Sequence, residues 1–362
     1  MVQLQESYPS GRRRAKPPRI SRMIRPDLAA LPAYVPGKRR PDALKLSSNE
    51  VATTPLPAAV EAMTQAAMQA NRYPDMFAMD LKEALAEHLE VTPEQVAVGC
   101  GSSALCQQLV QITAGPGDEV IFAWRSFEAY PIFTQVVGAT PVPVPLLDDG
   151  RHDLDRMAEL ITDRTKLIFL CNPNNPSGAV ITDAEFHDFM ARVPESVVVG
   201  LDEAYFEYNR AEDTVIGTEA ITRYPNVMAL RTFSKAYGLA GVRVGYAFGS
   251  TELIGALDKV CIPFGVNAVA QAAAVASLAS ADELLERTEE TVAQRDRVAD
   301  ALGARRSQAN FIWLPGVDAQ DVAERLAEQG VLVRAFPEGV RITVTTEKEA
   351  DQLLAAWEKA GL

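Results

Sequence analysis

Lys235 stands in Thr-Phe-Ser-Lys-Ala-Tyr-Gly-Leu-Ala-Gly-Val-Arg (residues 232 to 243), among hydroxyls, small residues and an arginine, with no acidic neighbour. A lysine amine forms a Schiff base with an aldehyde, while hydroxyls and a guanidinium hydrogen-bond and neutralise a phosphate. Thr232, Ser234 and Arg243 are close enough in sequence to surround one phosphate, and Gly238 and Gly241 let the chain fold tightly there. The chemistry on offer is covalent capture of a phosphorylated aldehyde cofactor. Most lysines are solvated surface charges, so the rest of the chain has to supply the remainder of such a site.

Four further segments carry suitable groups. Gly-Cys-Gly-Ser102-Ser103-Ala-Leu (99 to 105) is a glycine turn entering an apolar helix; it offers amides and hydroxyls to a phosphate, or simply packs a strand tightly against a helix. Trp124-Arg-Ser-Phe127-Glu-Ala-Tyr130 supplies rings that either fill the core or stack on a flat heteroaromatic ligand, which is worth roughly 0.5 to 1.5 kcal/mol beyond burial. Asn172-Pro-Asn-Asn175-Pro-Ser-Gly178 is a loop stiffened by two prolines. It reads as a turn or as a rigid display of Asn175 toward a phenolate or carboxylate oxygen. Asp202, after the apolar run Val-Val-Val-Gly-Leu, must find a cation or donors. A protonated pyridine nitrogen is such a partner, a helix N-cap is the alternative, and Tyr205 is near enough to reach a ring oxygen beside Asn175.

The elements that position these groups are legible as alternating apolar runs and helix-length amphipathic segments between about residues 95 and 248. The runs are 95 to 99, 119 to 123, 166 to 171, 197 to 202, 227 to 231 and 244 to 248, apolar enough to form a mostly parallel sheet buried on both faces. Ligands of such α/β sheets bind beyond the carboxyl ends of the strands, where all five segments fall. Beyond this region a polar helix (282 to 302) and short strands at 310 to 314, 331 to 334 and 340 to 344 precede a final helix, predicting a smaller α+β domain. The expected organisation is a basic arm (1 to 22), a segment packing on the small domain (23 to 48, with the proline-rich stretch Leu31 to Pro41), a large domain (49 to 265) and a small one (266 to 362).

The 362 residues suffice for two domains, and the net charge of -13 argues against nucleic acid or an anionic membrane as partner. No apolar stretch reaches the roughly 20 residues that span a bilayer. The arm carries six Lys or Arg without the apolar core of a secretory signal and is expected to be disordered. Cys100, Cys106, Cys171 and Cys261 have neither paired nor metal-ligand spacing, and His88, His152 and His187 do not cluster with them. The expectation is no metal and a reducing, cytoplasmic setting.

Together Asn-Pro-Asn-Asn-Pro-Ser-Gly, Asp-Glu-Ala-Tyr and Thr-Phe-Ser-Lys-Ala-Tyr-Gly-Leu-Ala-Gly resemble the fold-type I pyridoxal-phosphate aminotransferases. Within them the likeness is to the branch of histidinol-phosphate and aromatic-amino-acid (phenylalanine) aminotransferases, over about residues 24 to 360. The resemblance implies that Lys235 is the Schiff-base lysine and that Asp202 pairs with the pyridine nitrogen. It implies too that Asn175 and Tyr205 bond the ring oxygen, that Ser102, Ser103, Thr232, Ser234 and Arg243 hold the phosphate, and that Phe127 stacks on the ring. Tyr73, in Asn-Arg-Tyr-Pro-Asp, is implied to reach the phosphate of a neighbouring subunit in a homodimer. Tyr34, Asn49, Asn175, Arg334 and Arg341 are implied to bind substrate, with the Arg341 guanidinium gripping a carboxylate through two parallel hydrogen bonds.

Phe127, where the histidinol-phosphate enzymes commonly have tyrosine, and Leu46-Ser-Ser-Asn49-Glu50-Val-Ala, in place of an Asn-Glu-Asn-Pro form, look like the phenylalanine members. The expected reaction is therefore amino-group exchange between aromatic amino acids and 2-oxoglutarate, with histidinol phosphate as the alternative substrate. A decarboxylase or β-lyase on the same fold is a further rival. A non-catalytic regulator would need a DNA-binding module, for which about 22 residues ahead of the match are too few.

Overall fold

The computed structural model describes residues 24–26, 28, 31 and 40–362; Tyr34, most of the Leu31 to Pro41 stretch and the basic arm lie outside the described residues. Leu28 N donates to Arg25 O and Leu31 N to Leu28 O, in a unit separate from the rest of the described chain. Residues 40–362 lie within one compact unit.

The strands are β1 (Leu44–Lys45), β2 (Val96–Gly99), β3 (Glu119–Trp124), β4 (Thr140–Pro145), β5 (Thr165–Cys171), β6 (Val198–Asp202), β7 (Val227–Thr232), β8 (Gly245–Gly249), β9 (Phe311–Pro315), β10 (Val331–Leu332), β11 (Arg334–Phe336) and β12 (Gly339–Thr343). Seven form the large sheet in the order β2-β8-β7-β6-β5-β3-β4. Neighbours from β4 to β7 are parallel, and β8 runs against both β7 and β2. The ends of β2, β3, β5, β6 and β7 therefore open on one side.

Side chains alternate across a strand, and both faces of this sheet are covered. Val120, Phe122, Leu167 and Phe169 pack into one apolar layer while Ile121, Ala123, Ile168 and Leu170 pack into the other. That is why the strands read as uninterrupted apolar runs. One strand has no such run: β4, Thr-Pro-Val-Pro-Val-Pro, sits at the sheet edge with β3 as its one neighbour. Proline donates nothing to a ladder, but an edge strand has one side without a ladder to serve.

Helix Ala268–Leu278, beyond the expected boundary at 265, packs on helices Pro57–Ala67 and Met79–Leu89. Its Ala270, Ala273 and Ala274 are buried in the same core as Ile121 and Ile168. Helix Ala281–Leu302 instead joins β9, β12 and helix Glu347–Ala360 around Val298, Ile312, Ile342 and Leu353. There β11, β12 and β9 form an antiparallel sheet. The single strand expected at 331 to 334 is in fact two: β10 pairs in parallel with β1, and β11 turns into the other sheet. Through β1 the chain just before residue 48 is bound to this smaller core. Among the described residues no single helix is long and apolar enough to cross a membrane.

Candidate active site

A cavity of about 360 Å³ lies where the five strand ends converge with β11 and β12. Ser102 and Ser103 follow β2, Phe127 follows β3, Asn175 follows β5, Asp202 and Tyr205 end and follow β6, and Ser234 and Lys235 follow β7; all line it. Arg334, Phe336 and Arg341 close it from the smaller sheet.

Lys235 is half-buried, and its Nζ donates to the Ser48 carbonyl at 3.2 Å and lies 5.9 Å from the centre of the Tyr205 ring. Burial, reinforced by the Arg341 guanidinium, lowers its pKa to about 8. Charge on an amine is disfavoured in a poorly hydrated site near other cations. About a tenth of this amine is thus neutral, and nucleophilic, at pH 7, far more than for an ordinary lysine.

Asp202 is buried at the end of β6 and caps no helix. Its Oδ2 accepts from the Tyr130 hydroxyl at 2.6 Å and its Oδ1 from the Ala204 amide at 3.2 Å. Burial raises its pKa to about 6, against the lowering effect of the Tyr130 hydrogen bond. Among the described residues no Lys or Arg makes an ion pair with it. A carboxylate in that position is suited to a cationic ligand atom.

A corner for an anion sits at the start of helix Ser102–Thr113. Its N-cap, Gly101, has φ of 80° and no side chain caps the helix, so early amides are available to a ligand. Arg243 Nη1 donates to Ser234 Oγ at 3.2 Å and Nη2 to Ser103 Oγ at 3.5 Å, gathering two hydroxyls around the guanidinium. A Cβ on Gly101 would lie 2.3 Å from Arg243 Nη2, so the arginine can lie there because residue 101 is glycine. Thr232 Oγ1 accepts from the Ser234 amide at 3.1 Å and fixes the turn into Lys235.

Across the cavity, Asn49 Nδ2 donates to Tyr205 Oη at 2.8 Å. Asn49 is itself held: its amide donates to Thr343 Oγ1 at 3.0 Å and its carbonyl accepts from Asn310 Nδ2 at 3.2 Å. Arg341 Nη1 donates to Asn175 Oδ1 at 2.6 Å and Nη2 to the Ser47 carbonyl at 2.7 Å. Both guanidinium and amide are thereby oriented in the cavity wall. Arg334 stands opposite Arg341 in the β11 to β12 register. Phe127 meets Tyr130 edge-on at 5.4 Å, and Tyr130 stacks on Phe169 at 4.3 Å.

Tyr73 is not among these neighbours. It is 83 % exposed and stacks on Phe264 at 4.7 Å. The sequence reading also passed over four residues of the site. Thr343 shares a strand face with Arg341 at the two-residue spacing, a signal that could have been used. Tyr130 was visible as an aromatic residue but not as a carboxylate partner. Glu128 and Phe336, both lining the cavity, had no signal beyond adjacency to residues already singled out.

The donors present suit pyridoxal phosphate. The Lys235 amine with its lowered pKa is suited to an aldehyde, the buried Asp202 carboxylate to a cationic ring nitrogen, and the corner at Gly101, Ser103, Ser234 and Arg243 to a phosphate. Among the described residues no cluster of His, Cys, Asp or Glu could hold a metal ion.

The sequence profile of the family described as aminotransferase class I and II matches residues 41–356. The aromatic amino acid aminotransferase of Corynebacterium efficiens is 69% identical over 337 residues, which cover 93% of this chain and 98% of that protein. The enzyme of the same name from Corynebacterium glutamicum ATCC 13032 is 68% identical over 336 residues, with 93% and 98% covered. Among solved structures, histidinol-phosphate aminotransferase from Sinorhizobium meliloti in complex with pyridoxal-5'-phosphate superposes with a TM-score of 0.85 at 31% identity, covering 97% of this chain and 98% of that one. Aspartate aminotransferase from Thermus thermophilus with maleate gives 0.75 at 27% identity, covering 88% and 92%.

Proposed function

The chain belongs to the class I and II aminotransferases, and we propose that within this family it exchanges amino groups between aromatic amino acids and 2-oxoglutarate. It is a pyridoxal-phosphate enzyme. The observation that carries the reading is the placement of the Lys235 amine and the buried Asp202 carboxylate in one cavity with the Arg341 guanidinium. The names of relatives 66 to 69% identical support the aromatic side chain, as does the Phe336 ring in the cavity wall.

When bound, pyridoxal phosphate supplies a ring that accepts the electron pair left when the substrate loses its α-proton. Lys235 would hold the cofactor through its Nζ, and that amine, once freed, would take the proton from the substrate Cα and serve as base and then acid. Asp202 would favour a protonated ring nitrogen, Asn175 and Tyr205 would hydrogen-bond the ring oxygen, Phe127 would stack on the ring, and Ser102, Ser103, Thr232, Ser234 and Arg243 would hold the phosphate. Arg341 would grip the substrate carboxylate, assisted by Asn49 and Asn175, while Arg334 lines the cavity beside Phe336.

We read the active assembly as a homodimer in which the partner subunit's Tyr73 completes the phosphate site. Tyr73 and Phe264 are exposed as a stacked pair, and Met76, Phe77 and Ile262 expose apolar surface around one neighbouring cleft. Exposed apolar groups of this kind suit a second copy of the chain. The free cysteines support a reducing, cytoplasmic setting. Incubating the loaded enzyme with phenylalanine and 2-oxoglutarate tests the function: phenylpyruvate and glutamate should appear in equal amounts. Release of carbon dioxide or ammonia instead would point to a decarboxylase or lyase and overturn it.

A further inference from the structure

Arg334 and Arg341 face each other across β11 and β12, and both line the cavity. Two adjacent guanidiniums would ordinarily make a good seat for a dianion such as a phosphate ester. Here Arg334 is already paired with a carboxylate. Arg334 Nη2 donates to Glu128 Oε2 at 2.8 Å, and Glu128 also lines the cavity. Glu128 Oε1 lies 3.9 Å from Arg125 Nη1, and Arg125 in turn grips both oxygens of Glu338, Nε to Oε2 and Nη2 to Oε1, each at 2.9 Å.

Arg334 and Glu128 in this wall, and Arg125 and Glu338, which line another cleft, thus form a chain of zero net charge. The Arg334 and Glu128 side chains are only 15 and 28 % exposed, so solvent screens the pair incompletely. The Phe336 ring lies 5.4 Å from the guanidinium carbons of both Arg125 and Arg334 and 5.6 Å from that of Arg341. What remains for a substrate side chain is an aromatic face beside a neutralised cation.

We propose that Glu128 is a specificity-determining residue: by engaging Arg334 it admits an uncharged aromatic side chain and turns away one that ends in a dianionic phosphate. A phosphate approaching Arg334 meets the Glu128 carboxylate as a like charge or has to break the ion pair, and specificity of this kind rests on repulsion of the wrong ligand as much as attraction of the right one. The inference rests on the aromatic-aminotransferase reading and names the residue that enforces it.

The test measures kcat/KM of the loaded enzyme for histidinol phosphate and for phenylalanine, and the inhibition constant of inorganic phosphate against phenylalanine. Glu128→Gln should raise the ratio of histidinol phosphate to phenylalanine by about tenfold or more, a change that corresponds to removing one close charge interaction, and should strengthen inhibition by phosphate. Glu128→Asp, which keeps the charge, should stay near the wild-type ratio. The double variant Glu128→Gln/Arg334→Gln leaves no lone charge in the wall, so it remains readable where the single variant folds poorly; its ratio should fall back toward wild type. A Glu128→Gln ratio within about twofold of wild type, or a raised ratio that survives loss of Arg334, overturns the proposal. Failure of the aromatic reading is separately visible, as a preference of the wild-type enzyme itself for histidinol phosphate.

Discussion

The Tyr130 hydroxyl donates to Asp202 Oδ2 at 2.6 Å, from a ring stacked on Phe169 and set edge-on to Phe127. This bond stabilises the ionised carboxylate against the burial that pushes its pKa to about 6. Tyr130→Phe should therefore raise the Asp202 pKa of the cofactor-free protein further, so that the fall of its stability with pH, read from urea midpoints, extends to higher pH. A pH dependence that does not move would mean that another group sets it.

A raised carboxylate pKa also carries a stability cost. Between its ordinary value of 3.8 and about 6, the folded chain holds the Asp202 proton and the unfolded chain has released it. Stability of the cofactor-free protein therefore falls as pH rises through that window, by an amount on the order of 3 kcal/mol that is present in full above it. Asp202→Asn should raise the urea midpoint of the cofactor-free protein at pH 7, flatten this pH dependence and weaken cofactor binding. A lowered midpoint would contradict the burial argument.

Gly101→Ala places a methyl group against Arg243 in a backbone region that favours glycine. The guanidinium must move off Ser103 and Ser234, and the cofactor dissociation constant should rise about tenfold or more, worth about 1.4 kcal/mol. Equilibrium dialysis with pyridoxal phosphate measures it; unchanged affinity would remove Arg243 from the phosphate site.

These sites differ in how visible they were beforehand. The strands behind Asp202 and Lys235 declare themselves because a sheet covered on both faces needs apolar residues at every position, and the loops after them hold distinctive Asn, Gly and Ser patterns. β4 stayed hidden because Pro141, Pro143 and Pro145 read as loop, and only its edge position makes them acceptable. The Asn49 to Tyr205 bond joins residues 156 apart in sequence, and the Glu128 to Arg334 pair residues 206 apart. Neither has a local signature, since nothing in the chain near one partner depends on the other.

Tyr73 gives a test of the dimer. If it serves the neighbouring subunit's site, Tyr73→Ala and Lys235→Ala subunits each lack something the other has. Mixing the two poorly active proteins under conditions that exchange subunits should restore about a quarter of wild-type activity, since half of random dimers are mixed and each holds one complete site of two. Absence of any recovery, with exchange verified, would place Tyr73 outside the shared site.

Burial brings the Lys235 pKa to about 8, so its reaction with pyridoxal phosphate should accelerate through that pH instead of near 10.5, the ordinary value for lysine. The most direct measurement is to reduce the loaded enzyme with borohydride, digest it and locate the trapped pyridoxyl group by mass spectrometry. The group is predicted on Lys235, and Lys235→Ala should bind cofactor without covalent attachment and without turnover. A pyridoxyl group on another lysine, or on none, would contradict the account.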